Sequence, residues 1–168
     1  MSRFKPFGIL AAAVVLFAWL AGCDSERIAR LEEGVATETQ VRQQFGEPKA
    51  IFIEPDGSRT LEYSRQPAGQ TNYFITVGPD GVMRSLRQVL TPANFAKVLP
   101  GMDKAGVRRL LGQPAKTQLF DLKKEEHWEW RYAEGQAAKL FVVVFDANGQ
   151  VLGSASQDDP QATQVGGR

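Results

Sequence analysis

Val107-Arg108-Arg109-Leu110-Leu111-Gly112-Gln113-Pro114 decides how this chain folds, because an earlier stretch repeats its grammar: Val41-Arg42-Gln43-Gln44-Phe45-Gly46-Glu47-Pro48. In both, a valine and an arginine lead to an apolar residue and then to Gly-x-Pro. Another glycine precedes each, Gly34 before Gly46 and Gly101 before Gly112. An aromatic strand signal follows each, Leu61-Glu62-Tyr63 and Trp128-Glu129-Trp130. Each copy closes on an acidic turn, Asp80-Gly81-Val82 and Asp146-Ala147-Asn148-Gly149-Gln150-Val151. Self-similarity of this kind marks repeated supersecondary units.

Local chemistry fills in the unit. Ser25 to Glu33 carries Ile28 and Leu31 at helical spacing, and Gly34 ends that helix. Thr37-Glu38-Thr39-Gln40 fits a capping box, in which Gln40 reaches back to an exposed amide. The helix it opens places Val41 and Phe45 on one face. Gly46 suits a left-handed cap, and Pro48 prevents continuation. In the second copy Thr91-Pro92 supplies the cap and the first helical residue. Phe95 and Val98 match Ile28 and Leu31, and Asp103 caps a helix that turns Val107, Leu110 and Leu111 inward. Strands are expected over Ala50–Glu54, Arg59–Ser64, Asn72–Val77 and Val82–Leu90, then over Lys116–Asp121, His127–Tyr132, Lys139–Phe145 and Gln150–Ser156. Pro55-Asp56-Gly57 and Gly78-Pro79-Asp80-Gly81 are the turns.

Helices followed by strands argue an α+β class: two tandem α-α-β-β-β(-β) repeats, residues 23–90 and 91–156, with an antiparallel sheet and helices packed on one face. A unit of about 65 residues has a marginal core alone. Two fused units can share a sheet and a helical layer, which gives duplication a physical reason. Residues 157–168 are polar and expected to form a disordered tail.

Composition bounds the function. A chain of 168 residues that is 43% hydrophobic and 23% charged is of ordinary globular type. The net charge is +1, and Arg3 and Lys5 lie in the leader, so the remainder has no basic excess for nucleic acid. One cysteine rules out an internal disulfide framework, and one histidine leaves little for acid–base or metal chemistry. Glu125 and Glu126 are adjacent on a strand and point to opposite faces. His127 is expected as a solvated strand-edge residue. Glycines stand singly in turns and not in a phosphate-cradling G-x-G-x-x-G. No enzyme, metal or diffusible cofactor is expected.

Residues 1–22 have the form of an export signal, with Arg3 and Lys5 ahead of an apolar run from Ile9 to Leu20. That run is shorter than the roughly 20 apolar residues a membrane-spanning helix needs. Leu20-Ala21-Gly22-Cys23 resembles a bacterial lipobox. The resemblance implies cleavage before Cys23, a diacylglycerol on its sulfur and an N-acyl chain. Such acyl chains anchor a protein to a membrane at about 0.8 kcal/mol per buried methylene. Asp24 in the following position tends to keep lipoproteins of enteric bacteria in the inner membrane, so both membranes stay open.

One further pattern points to a contact surface. Trp128, Trp130 and Tyr132 alternate with Glu129 and Arg131, so one face of that strand covers the helices. Leu140-Phe141-Val142-Val143-Val144-Phe145 is apolar on both faces. If Phe141, Val143 and Phe145 face the helices, Leu140, Val142 and Val144 face away, with Phe74 and Thr76 at the matching places in the first copy. These five are the candidate partner-binding residues, since exposed apolar patches often mark a partner site.

A lipobox, a short helix, a glycine, a helix ending Val-Arg-x-x-apolar-Gly-x-Pro, an aromatic strand and a closing Asp-x-x-Gly-x-Val together resemble the SmpA/OmlA/BamE lipoprotein family. Residues 95–151 carry the resemblance most fully and residues 28–82 more loosely. That family's single domain is an accessory lipoprotein of the outer-membrane β-barrel assembly machine, and here two such units stand in tandem. The pair is similar to the β-lactamase inhibitory protein fold, whose open sheet face grips a partner. The resemblance implies a lipid-anchored periplasmic scaffold that binds envelope proteins, with the outer membrane favoured. The alternative is an inhibitor or chaperone-like module that clamps an envelope enzyme in the sheet.

Overall fold

A computed structural model describes residues 23–162. The expected export leader at 1–22 and the last residues of the expected tail, 163–168, lie outside the described residues. Two units follow one another in the same order. The first comprises α1 (Cys23–Ala29), α2 (Glu38–Phe45), β1 (Ala50–Ile53), β2 (Arg59–Ser64), β3 (Asn72–Val77) and β4 (Met83–Gln88). The second comprises α3 (Pro92–Phe95), α4 (Lys104–Leu111), β5 (Lys116–Phe120), β6 (Glu125–Glu134), β7 (Ala137–Phe145) and β8 (Val151–Asp158). β8 thus continues past Ser156, and Asp159 is buried beyond it, so residues 157–159 belong to the folded body.

The class is α+β with two repeated units, and each unit forms its own antiparallel meander, β1-β2-β3-β4 and β5-β6-β7-β8. The sheets are separate; the sharing expected from sequence does not occur. Part of the reason lies at the outer edge of β4, which is already occupied. Gly34 N–H donates to the Met83 carbonyl at 2.8 Å, and Leu86 N–H donates to the Glu33 carboxylate at 2.8 Å. An edge whose amides are satisfied offers a second sheet little to pair with.

The caps form as the side chains dictate. Thr37 accepts from Gln40 N–H while the Gln40 side chain accepts from Thr37 N–H, closing the capping box. Thr91 and Asp103 cap α3 and α4 by accepting from Asn94 N–H and Gly106 N–H. The glycines that end α2 and α4 differ from the expected left-handed cap. Gly46 has φ 82° and ψ −156°, Gly112 φ 74° and ψ −165°, a positive-φ extended region that is almost confined to glycine. The Gly-x-Pro spacing continues that course, because proline pushes the residue before it, Glu47 or Gln113, to extended backbone as well. The chain leaves each helix already aimed along β1 or β5.

Each sheet carries its own helices on one face. In the first unit Val41, Phe45, Leu61, Tyr63, Ile75, Val77 and Met83 form a buried core, with Ile28 and Leu31 packed at its margin. In the second, Phe95, Val107, Leu111, Trp130, Tyr132, Phe141, Val143 and Phe145 do the same. Phe95 stacks on Phe141 at 4.1 Å and meets Tyr132 edge-on at 4.7 Å. Such ring pairs contribute about 0.5–1.5 kcal/mol each beyond area burial.

The units are joined by α4, which lies between the two sheets. Val107 and Leu111, both fully buried, face its own sheet, while Arg108, Arg109 and Gly112 press on the reverse face of β1, β2 and β3. The layers therefore run helix, sheet, helix, sheet. This arrangement corrects one expectation directly. Phe74 and Thr76 are not on a fully open face: α4 of the second unit packs over part of that side of the first sheet, with Gly112 against Phe74, and both residues line the cleft that remains.

Candidate functional site

Antiparallel register matches the reverse faces of the two sheets position by position. In the first, Thr60 pairs with Thr76, Glu62 with Phe74 and Ser64 with Asn72. In the second, His127 pairs with Val144, Glu129 with Val142 and Arg131 with Leu140. The carbonyls of Glu62 and Glu129 accept from Lys49 N–H and Ala115 N–H, both at 2.7 Å, which fixes these two residues as counterparts.

The first face is filled. Glu62 is fully buried, and its carboxylate accepts from Arg108 through Nε at 3.2 Å and Nη2 at 2.9 Å and from Gln113 N–H at 2.6 Å. A buried carboxylate is tolerable only when paired and hydrogen-bonded in this way. Asn72, also fully buried, donates to the carbonyls of Leu111 at 2.7 Å and Gln113 at 2.9 Å, collecting the carbonyls at the end of α4. Arg109 reaches Glu54 at 2.6 Å and lies 4.8 Å from the Phe52 ring centre. Where the contact opens, a cleft of about 310 Å³ remains, walled by Phe52, Phe74, Thr76, Arg87, Arg109 and Leu110.

The second face has no such cover among the described residues. Val142 and Val144 are half-buried at its centre, flanked by Glu129 and His127 on β6 and by Ala155 and Gly153 on β8. The Glu129 carboxylate has no hydrogen-bond or ion-pair partner among the described residues. Lys116 is opposite it across β5, but its Nζ donates to Gln118 at 2.8 Å. His127 is not at a sheet edge: β5 flanks it, and its ring lies 4.4 Å from that of Phe120 and 3.2 Å from Glu125. Leu140 departs from expectation. Only 6% exposed, it lies at the closed end of the face, beside Arg131, whose guanidinium is held by buried Asp159 at 3.4 Å. Of the five candidate residues, Val142 and Val144 lie on the face without a docked helix, Phe74 and Thr76 line the cleft beside α4, and Leu140 is buried.

That closed end is secured from the first unit. Beyond the end of β5, the Gln66 side chain donates to the Arg131 carbonyl at 2.8 Å and accepts from Arg131 N–H at 3.2 Å. One amide thereby substitutes for a missing strand residue.

The Lys104 ammonium and then the Trp128 indole hold the Glu126 carboxyl below its usual range. Burial pushes the Tyr63 phenol up to about 12, and its hydroxyl finds no partner among the described residues. Among the described residues no three His, Cys, Asp or Glu side chains converge as metal ligands, and no helix is long and apolar enough to cross a membrane. Cys23 is the first residue of α1. Asp24 beside it is gripped by Arg65, Nη2 to Oδ1 at 2.9 Å and Nε to Oδ2 at 3.0 Å.

Sequence reasoning missed Glu62, Arg108, Asn72 and Gln66, the residues that join the units. One signal was available: the reverse-face row reads Asn72, Phe74, Thr76 in one copy and Leu140, Val142, Val144 in the other.

No family model matches the chain, and no curated protein matches it. Among solved structures, similarity extends to a putative osmotically inducible lipoprotein, OsmE, at 24% identity over 46% of this chain and 82% of that one, with a TM-score of 0.37. A DUF4309 family protein, YjgB, from Bacillus subtilis is 16% identical over 77% of this chain and 82% of its own, with a TM-score of 0.31. A putative beta-lactamase inhibitor protein from Streptococcus mutans is 12% identical over 81% and 96%, with a TM-score of 0.35. These scores are too low for the likenesses to carry functional weight.

Proposed function

We propose that this protein is a non-catalytic, lipid-anchored envelope scaffold that holds a protein partner on the reverse face of its second sheet. The observation that carries the reading is the asymmetry between matching faces: α4 docks on the first through Arg108 and Glu62, while no element among the described residues docks beside Val142, Val144 and Glu129 on the second. The lipobox motif ending at Cys23 supports acylation there, which confines the body to a membrane surface and raises its effective concentration for partners on the same surface. The motifs shared with the SmpA/OmlA/BamE lipoproteins favour a role in outer-membrane β-barrel assembly.

The test is photocrosslinking in intact cells from a benzoyl-phenylalanine placed at Val142, with inner and outer membranes separated by density before the adducts are identified. Adducts with barrel-assembly subunits in the outer-membrane fraction are expected. Adducts with an unrelated envelope protein in the inner-membrane fraction would remove the assembly role and leave the scaffold. An enzyme captured and silenced at this face would turn the scaffold into an inhibitor. Absence of any adduct from Val142, with normal anchoring, would overturn the reading.

A further inference from the structure

The chain contains its own example of what fits this kind of face. On the first sheet the docking element is an arginine followed one helical turn later by a glycine, Arg108 and Gly112. Arg108 clasps Glu62, and Gly112 lets the helix end come down on the strands. A Cβ at Gly112 would meet Asn72 at 3.0 Å, Glu62 at 3.3 Å and Phe74 at 3.3 Å. The recognition is thus one charged fork on a strand carboxylate plus one close backbone approach.

We propose that the open face of the second sheet takes the end of a partner protein's helix in the same mode, with an arginine of that helix closing on Glu129 and a small residue one turn later seated over Val142. Glu129 holds the position of Glu62, and Val142 that of Phe74. A carboxylate with no partner among the described residues, set among apolar neighbours, selects a guanidinium, whose planar fork suits it better than a lysine ammonium. Gly153 and Ala155 on β8 add no bulk beside Val144 and Val142, leaving room for a helix. The opposite end is shut, because Leu140 stands where Asn72 would collect helix carbonyls and Arg131 is engaged by Asp159. The partner helix is therefore held by its arginine and not by its terminal carbonyls.

A second copy of this chain is a poor occupant. Its uncovered helix α2 carries Gln43 and Gln44 where α4 has Arg109 and Leu110, and Arg42, the counterpart of Arg108, is already bound by Glu38 at 2.8 Å and by Glu47. A polar outer helix is the form that ends a stack of repeats and does not extend it.

The inference rests on the scaffold reading and is tested separately from it. The probe is a helix-stapled peptide of residues Lys104–Ala115, added to the full acylated chain in lipid nanodiscs and followed by amide and methyl NMR. Resonances of Val142, Val144, Glu129 and His127 are expected to move first. Glu129→Gln in the chain, or Arg108→Ala in the peptide, should each weaken binding by about tenfold, and together by little more than either alone. Shifts confined to Phe52 and Phe74, shifts that follow chain concentration without peptide, or no shift up to about 2 mM peptide would each overturn it. A Val142 crosslink to a partner combined with an inert peptide would keep the scaffold and discard the helix mode.

Discussion

Arg108 and Glu62, 46 positions apart in sequence, form the ion pair that locks one repeat onto the other, with Nη2 2.9 Å from Oε2 and the carboxylate wholly withdrawn from water. Removing one partner of a buried pair strands the other charge, which costs about 3–5 kcal/mol. Arg108→Ala should therefore lower the stability of the whole chain by that amount in urea unfolding. The double variant Glu62→Met with Arg108→Met should recover most of the loss, because neither charge remains to be solvated.

The two helix-ending glycines separate backbone strain from contact. Gly46→Ala meets nothing within 4 Å and carries only the strain of its positive φ, about 1–3 kcal/mol. Gly112→Ala carries the same strain and also drives a methyl against Asn72, Glu62 and Phe74. Thermal unfolding should show Gly112→Ala as clearly the more damaging; equal losses would mean that α4 does not press on the first sheet.

Tyr63 should be better as phenylalanine. Its ring is 2% exposed and its hydroxyl has no partner among the described residues, so Tyr63→Phe should raise stability by about 1 kcal/mol. The same burial sets an alkaline limit. The phenol ionises near 10 when unfolded and at about 12 when folded, so its contribution is intact below pH 10 and is lost as pH climbs toward 12. Absorbance at the phenolate band should rise together with loss of near-ultraviolet circular dichroism, and Tyr63→Phe should move that transition upward.

The open face should tolerate charge where the closed end does not. Val142→Lys and Val144→Lys, on a half-exposed face, should each change stability by no more than about 0.5 kcal/mol, and Val144→Lys should abolish the crosslinks expected from position 142. Leu140→Lys buries an unpaired ammonium and should melt far lower. Equal destabilisation by all three would place Val142 and Val144 in a core.

Local rules carry most of this fold. Thr37 with Gln40, Asp103, Thr91-Pro92 and both Gly-x-Pro stops mark helix ends within the chain's own neighbourhood, and alternation at Trp128, Trp130 and Tyr132 assigns their face. The joint between repeats is another matter. Glu62 on a strand beside Leu61 and Tyr63 has the pattern of an outward, solvated charge, and so does Arg108 on its helix. Nothing near either residue signals that each is the other's solvent. The same blindness applied to Phe74 and Thr76, which line a cleft whose other wall is a helix of the other unit. Gln66 is harder still, since a loop amide that completes a distant strand leaves no periodicity at all.

α1 begins at Cys23, and Asp24 is already tied to Arg65 at the end of β2. An acyl group at that cysteine would have no leash. The body would ride at the bilayer surface with its tilt restricted by the first turn of a helix, so anything that reaches it by diffusion would approach from one hemisphere only. Lengthening the junction with a flexible insert after Cys23 should then change which partners are captured, even with every contact residue intact.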